Sequence, residues 1–120
     1  MLVPEHSVHY LEIVTPDPAP TRDLYAKSYG WQFQPMDPAL GNAFVANLPG
    51  GSLCWIRALM SNDEKPIVRT YLRVDDIKSA VQSAAQMGAK ILLDYMEIPG
   101  HGTIAIFEYG GIQQGFWQVP

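Results

Sequence analysis

The sequence predicts an α+β fold in which two tandem βαβββ modules form one pseudo-symmetric domain, with a cavity between curved mixed sheets. Three observations lead to this prediction. A chain of 120 residues, 48% of them hydrophobic, suits one compact domain. An order of strand, helix and three strands can be followed twice along it. Helix caps and turn glycines recur at nearly constant spacing. The matched positions are Asp17 and Asp76, Gly30 and Gly88, and Gly51 and Gly111, at offsets of 59, 58 and 60 residues.

The first module is predicted over about residues 6–59. Residues 8–14 alternate apolar and polar side chains, as a half-buried strand does, and Asp17 followed by Pro18 is typical of a helix start. The helix TRDLYAKSYG ends at Gly30, which tolerates the left-handed backbone of a helix C-terminus. Three strands follow, in WQFQPM, NAFVANL and SLCWIRAL, and a Pro-Gly-Gly turn joins the last two.

The second module is predicted over about residues 67–120, after a polar linker at 60–66 that ends in proline. Its first strand is RTYLRV, and Asp75 or Asp76 caps a helix that ends at Gly88. The strands AKILLDYM, GTIAIFE and IQQGFWQV complete it. Because half of the chain holds too little core by itself, the modules are expected to bury their sheets against each other or against another subunit.

Charge and cysteine content exclude several classes of function. The chain has 8 basic and 12 acidic residues and no basic run, which argues against nucleic-acid or anionic-membrane binding and favours a small-molecule or protein partner. Cys54 is the only cysteine, so an internal disulfide or Cys-rich zinc site is excluded, and its apolar flanks predict a buried thiol. Neither a signal-peptide pattern nor an apolar run near the ~18 residues of a membrane span is present, so a cytoplasmic location is expected.

A family resemblance follows from the Asp-Pro that opens the first helix, the VDD that opens the second, and the ending GFWQVP. These features resemble the vicinal oxygen chelate superfamily, which includes glyoxalase I and bleomycin-resistance proteins, over essentially the whole chain. The segment MEIPGHGTIAIFEYGGIQQGFWQV is similar to the ending MDIPGxGxxAxxxDPxGAxFxLWQ of small glyoxalase-like proteins. The resemblance implies one glyoxalase-like domain over residues 1–120 and a homodimer, which would also cover open sheet edges.

The resemblance also places the metal ligands of metal-using members, which are His, Glu or Gln side chains. These positions lie seven residues before each capping Asp and four residues after each turn glycine. They fall on Tyr10, Arg69, Trp55 and Gly115. A register shifted by one residue would substitute His9, Thr70, Cys54 and Gln114. Neither set supplies the several converging donors that a divalent ion needs, so we expect no metal, no cofactor, and no glyoxalase I or dioxygenase chemistry.

Strand alternation gathers polar and aromatic side chains on the face opposite the helices. The face comprises Tyr10, Glu12, Trp55, Arg57, Arg69, Tyr71, Arg73, Gly115 and Trp117. Its arginines outnumber its one glutamate, which favours an anionic ligand such as a carboxylate or phosphate ester, although Arg57 could equally point to solvent. The aromatic side chains could stack on a planar ligand or simply fill the space between the modules.

Four titratable residues have open roles. Glu12 could be a general base or a residual ligand, but an ion pair with Arg73 or Arg69 is the simpler expectation. His101 lies in a Pro-Gly-His-Gly loop near the cavity mouth, where it could transfer protons or merely face solvent. His6, before the first strand, is expected to face solvent. His9 is expected to face the helix layer or the sheet edge, in a structural role.

The sequence leaves three functional hypotheses. The leading one is a metal-independent protein that binds a small organic ligand, anionic or aromatic, between its modules, as bleomycin-resistance proteins do. The second is a lyase or isomerase that transfers protons through Glu12, Tyr10 or His101. The third is a protein-interaction subunit whose cavity is filled by its own aromatic side chains. An open cavity lined by Trp55, Arg69 and Trp117 would favour binding, whereas a filled interior would favour the third hypothesis.

Overall fold

The computed structural model describes residues 2–120, with the side chains of all of them except Met36 and Asp37. Module 1 contains β1 (Val8–Val14), α1 (Pro18–Tyr29), β2 (Phe33–Asp37), a short 3-10 turn (Pro38–Leu40), β3 (Ala43–Asn47) and β4 (Leu53–Arg57). Module 2 contains β5 (Ile67–Arg73), α2 (Ile77–Gln86), β6 (Lys90–Ile98), β7 (Gly102–Tyr109) and β8 (Ile112–Gln118). The predicted α+β fold of two βαβββ modules is confirmed.

The strands form one mixed sheet in the order β2-β3-β4-β1-β5-β8-β7-β6. Within each module the first and last strands pair in parallel, as β1 with β4 and β5 with β8. The modules meet through the antiparallel pair of β1 and β5, whose registers place Tyr10 opposite Tyr71 and Glu12 opposite Arg69. The two module sheets are therefore halves of one continuous sheet, and they join within a single chain.

Asp17 and Asp76 stand at the N-caps of α1 and α2, and Gly30 and Gly88 lie at their C-terminal ends, but the side chain of Asp17 makes no capping hydrogen bond. Asp76, not Asp75, caps α2, because its side chain accepts a hydrogen bond from the Ser79 amide at 3.2 Å. Gly30 ends α1 with a φ of 73°, a conformation that favours glycine. Neither helix of the described chain is long and apolar enough to cross a membrane.

Both faces of the sheet contribute buried core side chains. The helices cover one face, where Ile13, Ala46, Cys54 and Ile56 pack with side chains from α1 and its C-terminal loop. Burial raises the pKa of the Cys54 thiol to about 12, so it remains protonated at neutral pH and packs as a small apolar side chain. The opposite face, here called the inner face, carries the polar and aromatic residues singled out in the sequence.

Candidate functional site

The inner face around the β1–β5 pair has two parts related by the internal repeat, and both strands contribute to each part. We call Glu12, Arg57 and Arg69 the ionic half, and Tyr10, Tyr71 and Trp117 the aromatic half. The repeat relates each member of one half to a member of the other half, 59 or 60 residues away in the sequence. Glu12 corresponds to Tyr71, Tyr10 to Arg69 and Arg57 to Trp117. Equivalent backbone positions therefore carry opposite chemistry in the two modules.

The ionic half is centred on the carboxylate of Glu12, which is 1% exposed. Arg57 donates from Nε to Glu12 Oε2 at 2.9 Å, and Arg69 donates from Nη1 to Oε1. The hydroxyl of Tyr71 donates to the same Oε1 at 2.8 Å, so the aromatic half also contributes to this cluster. A buried carboxylate is stabilised by such donors, and both of its oxygens are occupied here.

The outer edge of Arg57 binds a second carboxylate. Its Nη1 and Nη2 donate to Glu64 Oε1 and Oε2 at 2.8 and 2.6 Å, in a bidentate pair. The backbone amide of Met60 donates to Glu64 Oε1 at 2.7 Å. Glu64 lies in the segment of residues 58–66, here called the connecting segment, which joins the two modules without a helix or strand. The corresponding outer partner of Arg69 is the side-chain oxygen of Gln113, at 2.7 Å from Nη2.

Electrostatics follow from these contacts. Hydrogen bonds from Arg57 lower the pKa of Glu64 to about 2, although burial acts in the opposite direction. Burial alone lowers the pKa of Arg57, but the hydrogen bonds and charges of Glu64 and Glu12 outweigh burial and raise it above its ordinary value. Burial, reinforced by the charge of Glu12, raises the pKa of Tyr71, so its hydroxyl remains a donor at neutral pH. At neutral pH, Arg57 and Glu64 therefore form an ion pair.

The aromatic half is packed as a core. The rings of Tyr10 and Trp117 stack with centroids 3.9 Å apart and planes 10° from parallel. Trp55 and Tyr71 approach Trp117 edge-on, at 6.1 and 5.6 Å. These four side chains are between 0% and 4% exposed. They are therefore in contact with one another and are not displayed to solvent.

Each module also uses an indole to hold the connection between its second and third strands. Trp55 donates from Nε1 to the backbone oxygen of Leu40, and Trp117 donates to that of His101, both at 2.8 Å. These bonds keep the two connections against the inner face.

The four positions that the superfamily uses for metal ligands do not fit a metal ion. Tyr10 is stacked, Trp55 offers only an N–H donor, and Arg69 is bonded to Glu12. A Cβ at Gly115 would lie 2.3 Å from the ring of Tyr71, so this ring occupies the space of a fourth ligand. Among the residues that the structure describes, no three His, Cys, Asp or Glu side chains are grouped as a metal site.

The contacts of Arg57 and Arg73 differ from those predicted. Glu12 does pair with Arg69, but its other partner is Arg57, which is 6% exposed and does not point to solvent. Arg73 instead pairs with Asp75, with 3.1 Å between Nη2 and Oδ1. The reason is its position near the end of β5, where the chain turns toward α2 and brings Asp75 within reach.

The side chain of His9 does not follow the alternation of faces along β1. A register shift between Val8 and Tyr10 leaves His9 as an extra residue in β1, a β-bulge that interrupts the alternation. The His9 ring, expected to face the helix layer or the sheet edge, consequently lies 5.8 Å from that of Trp117. Burial and the charge of Arg73 lower the pKa of His9.

The other two histidines lie outside the strands. His101 is half-buried, and its backbone oxygen accepts the hydrogen bond from Trp117, whereas the side chain of His6 is 73% exposed.

Sequence reasoning missed Glu64 and Gln113. Glu64 comes from a polar segment that reads only as a linker, and Gln113, although it lies on β8, precedes the ligand position Gly115 by two residues. A weak signal was present, since a face with more arginines than glutamates needs further acidic partners from elsewhere.

Comparisons with known proteins agree with the fold. No protein-family model matches the chain. The "Putative glyoxylase CFP32" proteins of Mycobacterium bovis and Mycobacterium tuberculosis are 23% identical to it over 117 residues, which cover 92% of this chain. The match covers 45% of their length, so this chain spans about half of these curated relatives.

Solved structures are similar over nearly the whole chain. The hypothetical protein BH1468 from Bacillus halodurans C-125 has a TM-score of 0.75 at 14% identity, covering 95% of this chain and 94% of that one. Methylmalonyl-CoA epimerase from Mycobacterium tuberculosis has a TM-score of 0.73 at 13% identity, covering 99% of this chain and 90% of that one. At these identities the likeness establishes the fold, and the fold predicted from the sequence is confirmed.

Proposed function

We propose that this chain, which has the fold of the vicinal oxygen chelate superfamily, binds a small organic anion at the ionic half without a metal ion. The observation that carries the proposal is the pair of arginines on one buried glutamate, with a further carboxylate already held on the outer edge of Arg57. Superfamily members that use a metal place a cation between their modules. In this chain, one of the four ligand positions holds Arg69, and Arg57 lies two residues beyond another, so guanidinium groups supply positive charge close to that place.

The charge balance supports an anionic ligand. Within the sheet, Arg57 and Arg69 face only Glu12, which leaves one positive charge in excess. An unpaired charge in a buried site is costly, so the site needs another anion. In the present conformation Glu64 supplies it, with a side chain that is 21% exposed. A planar guanidinium edge is also well suited to a carboxylate, which it can bind through two parallel hydrogen bonds.

The aromatic half supports a structural role instead of ligand stacking. Tyr10, Trp55, Tyr71 and Trp117 belong to one buried cluster that also contains Leu40, Ile98 and Ile104. A planar ligand could enter only by separating rings that are already in contact. We therefore place the ligand at the ionic half and treat these aromatic side chains as the core between the modules.

Proton-transfer chemistry is an alternative because several similar solved structures are named as methylmalonyl-CoA epimerases. The geometry of Glu12 argues against it as a general base. Its two carboxylate oxygens accept hydrogen bonds from Arg57, Arg69 and Tyr71, which also separate it from a substrate carbon. A base needs an oxygen within reach of the proton that it removes.

Calorimetric titration of metal-free protein tests the proposal. With phenylacetate as probe and its neutral analogue phenylacetamide as comparison, we expect the acid to bind with at least about tenfold higher affinity, because only the acid pairs with Arg57. Arg57→Met should abolish this preference, whereas Arg22→Met, a surface arginine paired with Asp23, should retain it. Equal binding of acid and amide, or binding only after a divalent metal is added, would contradict the proposal.

A protein-interaction role is a second candidate because the aromatic half is filled. We propose homodimerisation through β6, an edge strand of the sheet that carries Leu92, Tyr95 and Met96 at 41%, 50% and 43% exposure. Light scattering after size exclusion would show a mass near twice the 13.3 kDa of one chain. Substitution of Leu92 by Lys should then yield the monomer. A wild-type protein that is monomeric at micromolar concentration would rule this interface out.

A further inference from the structure

The connecting segment covers the ionic half with one carboxylate and one apolar side chain. We infer that Glu64 and Met60 occupy the place of the ligand, that the ligand is a small monocarboxylate with a short apolar body, and that the connecting segment must move to admit it. This inference rests on the proposed function and deepens it. It assigns a ligand class and a residue that competes with the ligand.

The contacts of Glu64 define the charged end of that ligand. The carboxylate of Glu64 accepts from both Nη atoms of Arg57 and from the Met60 amide, while Arg57 Nε is committed to Glu12. When Glu64 leaves, one guanidinium edge with two parallel N–H groups is released. The outer nitrogen of Arg69 is already bonded to Gln113 at 2.7 Å. The released edge therefore matches a single carboxylate and not a group with two negative charges.

The contacts of Met60 define the apolar end. Its Cε lies only 2.1 Å from where a Cβ at Gly41 would stand, and the same point is 3.7 Å from Arg57 Cδ. The methyl group of Met60 therefore lies over a glycine, beside the arginine stem. Met60 is nevertheless 63% exposed, so most of its surface gains nothing from this position. A ligand body about as large as this side chain could replace it at little cost.

The local structure of the connecting segment allows this movement. Residues 58–66 contain neither helix nor strand, and all but Leu59 and Glu64 are exposed. A loop held by few buried contacts opens at a lower free energy than the sheet beneath it. When Glu64 is bound to Arg57, the site is closed to the ligand. The apparent affinity of the protein for the ligand is therefore lowered in proportion to the fraction of molecules in this closed state.

Glu64→Gln tests the inference because it keeps the size of the side chain and removes its charge. We expect the variant to bind phenylacetate at least about fivefold more tightly than the wild type, since the closed population falls. Amide hydrogen exchange over residues 58–66 should also be faster in the free variant. Asp63→Asn is the matched control: it removes the same charge from the same segment and should leave affinity unchanged.

Met60→Ala provides a second, independent test. Acetate and phenylacetate share a carboxylate but differ in their apolar body. If Met60 occupies the place of that body, Met60→Ala should strengthen phenylacetate binding by more than it strengthens acetate binding. Equal changes for the two acids would overturn the assignment of Met60.

The outcomes separate the inference from the proposed function. If phenylacetate binding depends on Arg57 but Glu64→Gln and Asp63→Asn behave alike, the competitor role of Glu64 is overturned while the proposed function stands. If neither the wild type nor the folded Glu64→Gln variant binds phenylacetate, both fall. Circular dichroism and a thermal melt establish that each variant is folded.

Discussion

The two halves of the inner face differ in what is needed to complete them. The aromatic half is filled by its own rings, since Tyr10 and Trp117 stack at 3.9 Å and Tyr71 packs edge-on against Trp117. The ionic half is incomplete within the sheet, because Arg57 takes its second carboxylate from the connecting segment. Both halves lie at equivalent positions of a repeated module. The difference teaches that equivalent positions of a repeat can hold self-sufficient ring packing in one half and charged groups that need a partner from a loop in the other.

The physical reason is the different cost of burial for the two kinds of side chain. Buried aromatic rings gain from apolar area and edge-to-face packing without further partners. Buried guanidinium groups lose hydration, and they recover the loss only when their donors are paired. A partner supplied by a loop can be exchanged for a ligand, whereas a stacked ring cannot be exchanged without opening the core.

The largest expected effect comes from Glu12→Gln, which leaves Arg57 and Arg69 buried against a neutral amide. The free energy of unfolding, measured in urea, should fall by about 3–5 kcal/mol because the substitution breaks a buried ion pair. Arg22→Gln breaks a more exposed pair with Asp23 and the contact of the Arg22 guanidinium with the Phe44 ring, and should cost less than ~2 kcal/mol. A loss in Glu12→Gln as small as that in the control would show that the ionic half is not a stabilising cluster.

The next effect concerns the aromatic half. A Cβ at Gly115 would lie 2.3 and 2.5 Å from two carbons of the Tyr71 ring, so Gly115→Ala should destabilise the domain by about 1–3 kcal/mol through overpacking. The same substitution in a Tyr71→Ala background should cost about 1 kcal/mol less, because the ring is gone and only the backbone oxygen of Ala105, at 3.0 Å, remains close. Urea unfolding of the four proteins in this cycle measures the coupling. Equal costs in the two backgrounds would contradict the contact.

These two effects differ in how far the sequence could predict them. The element order, the Gly30 helix end and the placement of Tyr71 and Gly115 on one face of the sheet follow from local patterns of caps, turns and strand alternation, which act over short distances. The pairing of Glu12 with Arg69 was among the expectations, since the two residues lie on strands related by the repeat. The partners Glu64 and Gln113 were not, because contacts from a loop and a distant strand depend on how the chain closes in three dimensions. The bulge at His9 was missed for a similar reason, since nothing local marks an extra residue in β1.

Acid should weaken the ionic half more than the aromatic half. The pKa of Glu64 is lowered to about 2, so the stability from its pair with Arg57 is fully present above the ordinary value of 4.5 and is lost as the pH falls toward 2. Between pH 6 and pH 3, the wild type should therefore lose about 1–3 kcal/mol more than Glu64→Gln, which has no such carboxylate to protonate. Urea unfolding at a series of pH values measures the difference. The Asp63→Asn variant should follow the wild-type profile, and identical profiles for the wild type and Glu64→Gln would contradict the pair.

The smallest effect is expected where the halves meet, at the Tyr71 hydroxyl, which donates to Glu12 Oε1 at 2.8 Å. Tyr71→Phe keeps the ring that packs against Gly115 and Trp117 but removes this donor. It should cost about 1–2 kcal/mol, because Glu12 keeps both arginine partners and loses only one hydrogen bond. Since the hydroxyl lies on the side of Glu12, away from the edge of Arg57 that binds Glu64, phenylacetate affinity should stay within about twofold of the wild type. A large loss of affinity with the same modest loss of stability would mean that the ligand reaches Glu12 itself, and the binding site would then include the junction of the two halves.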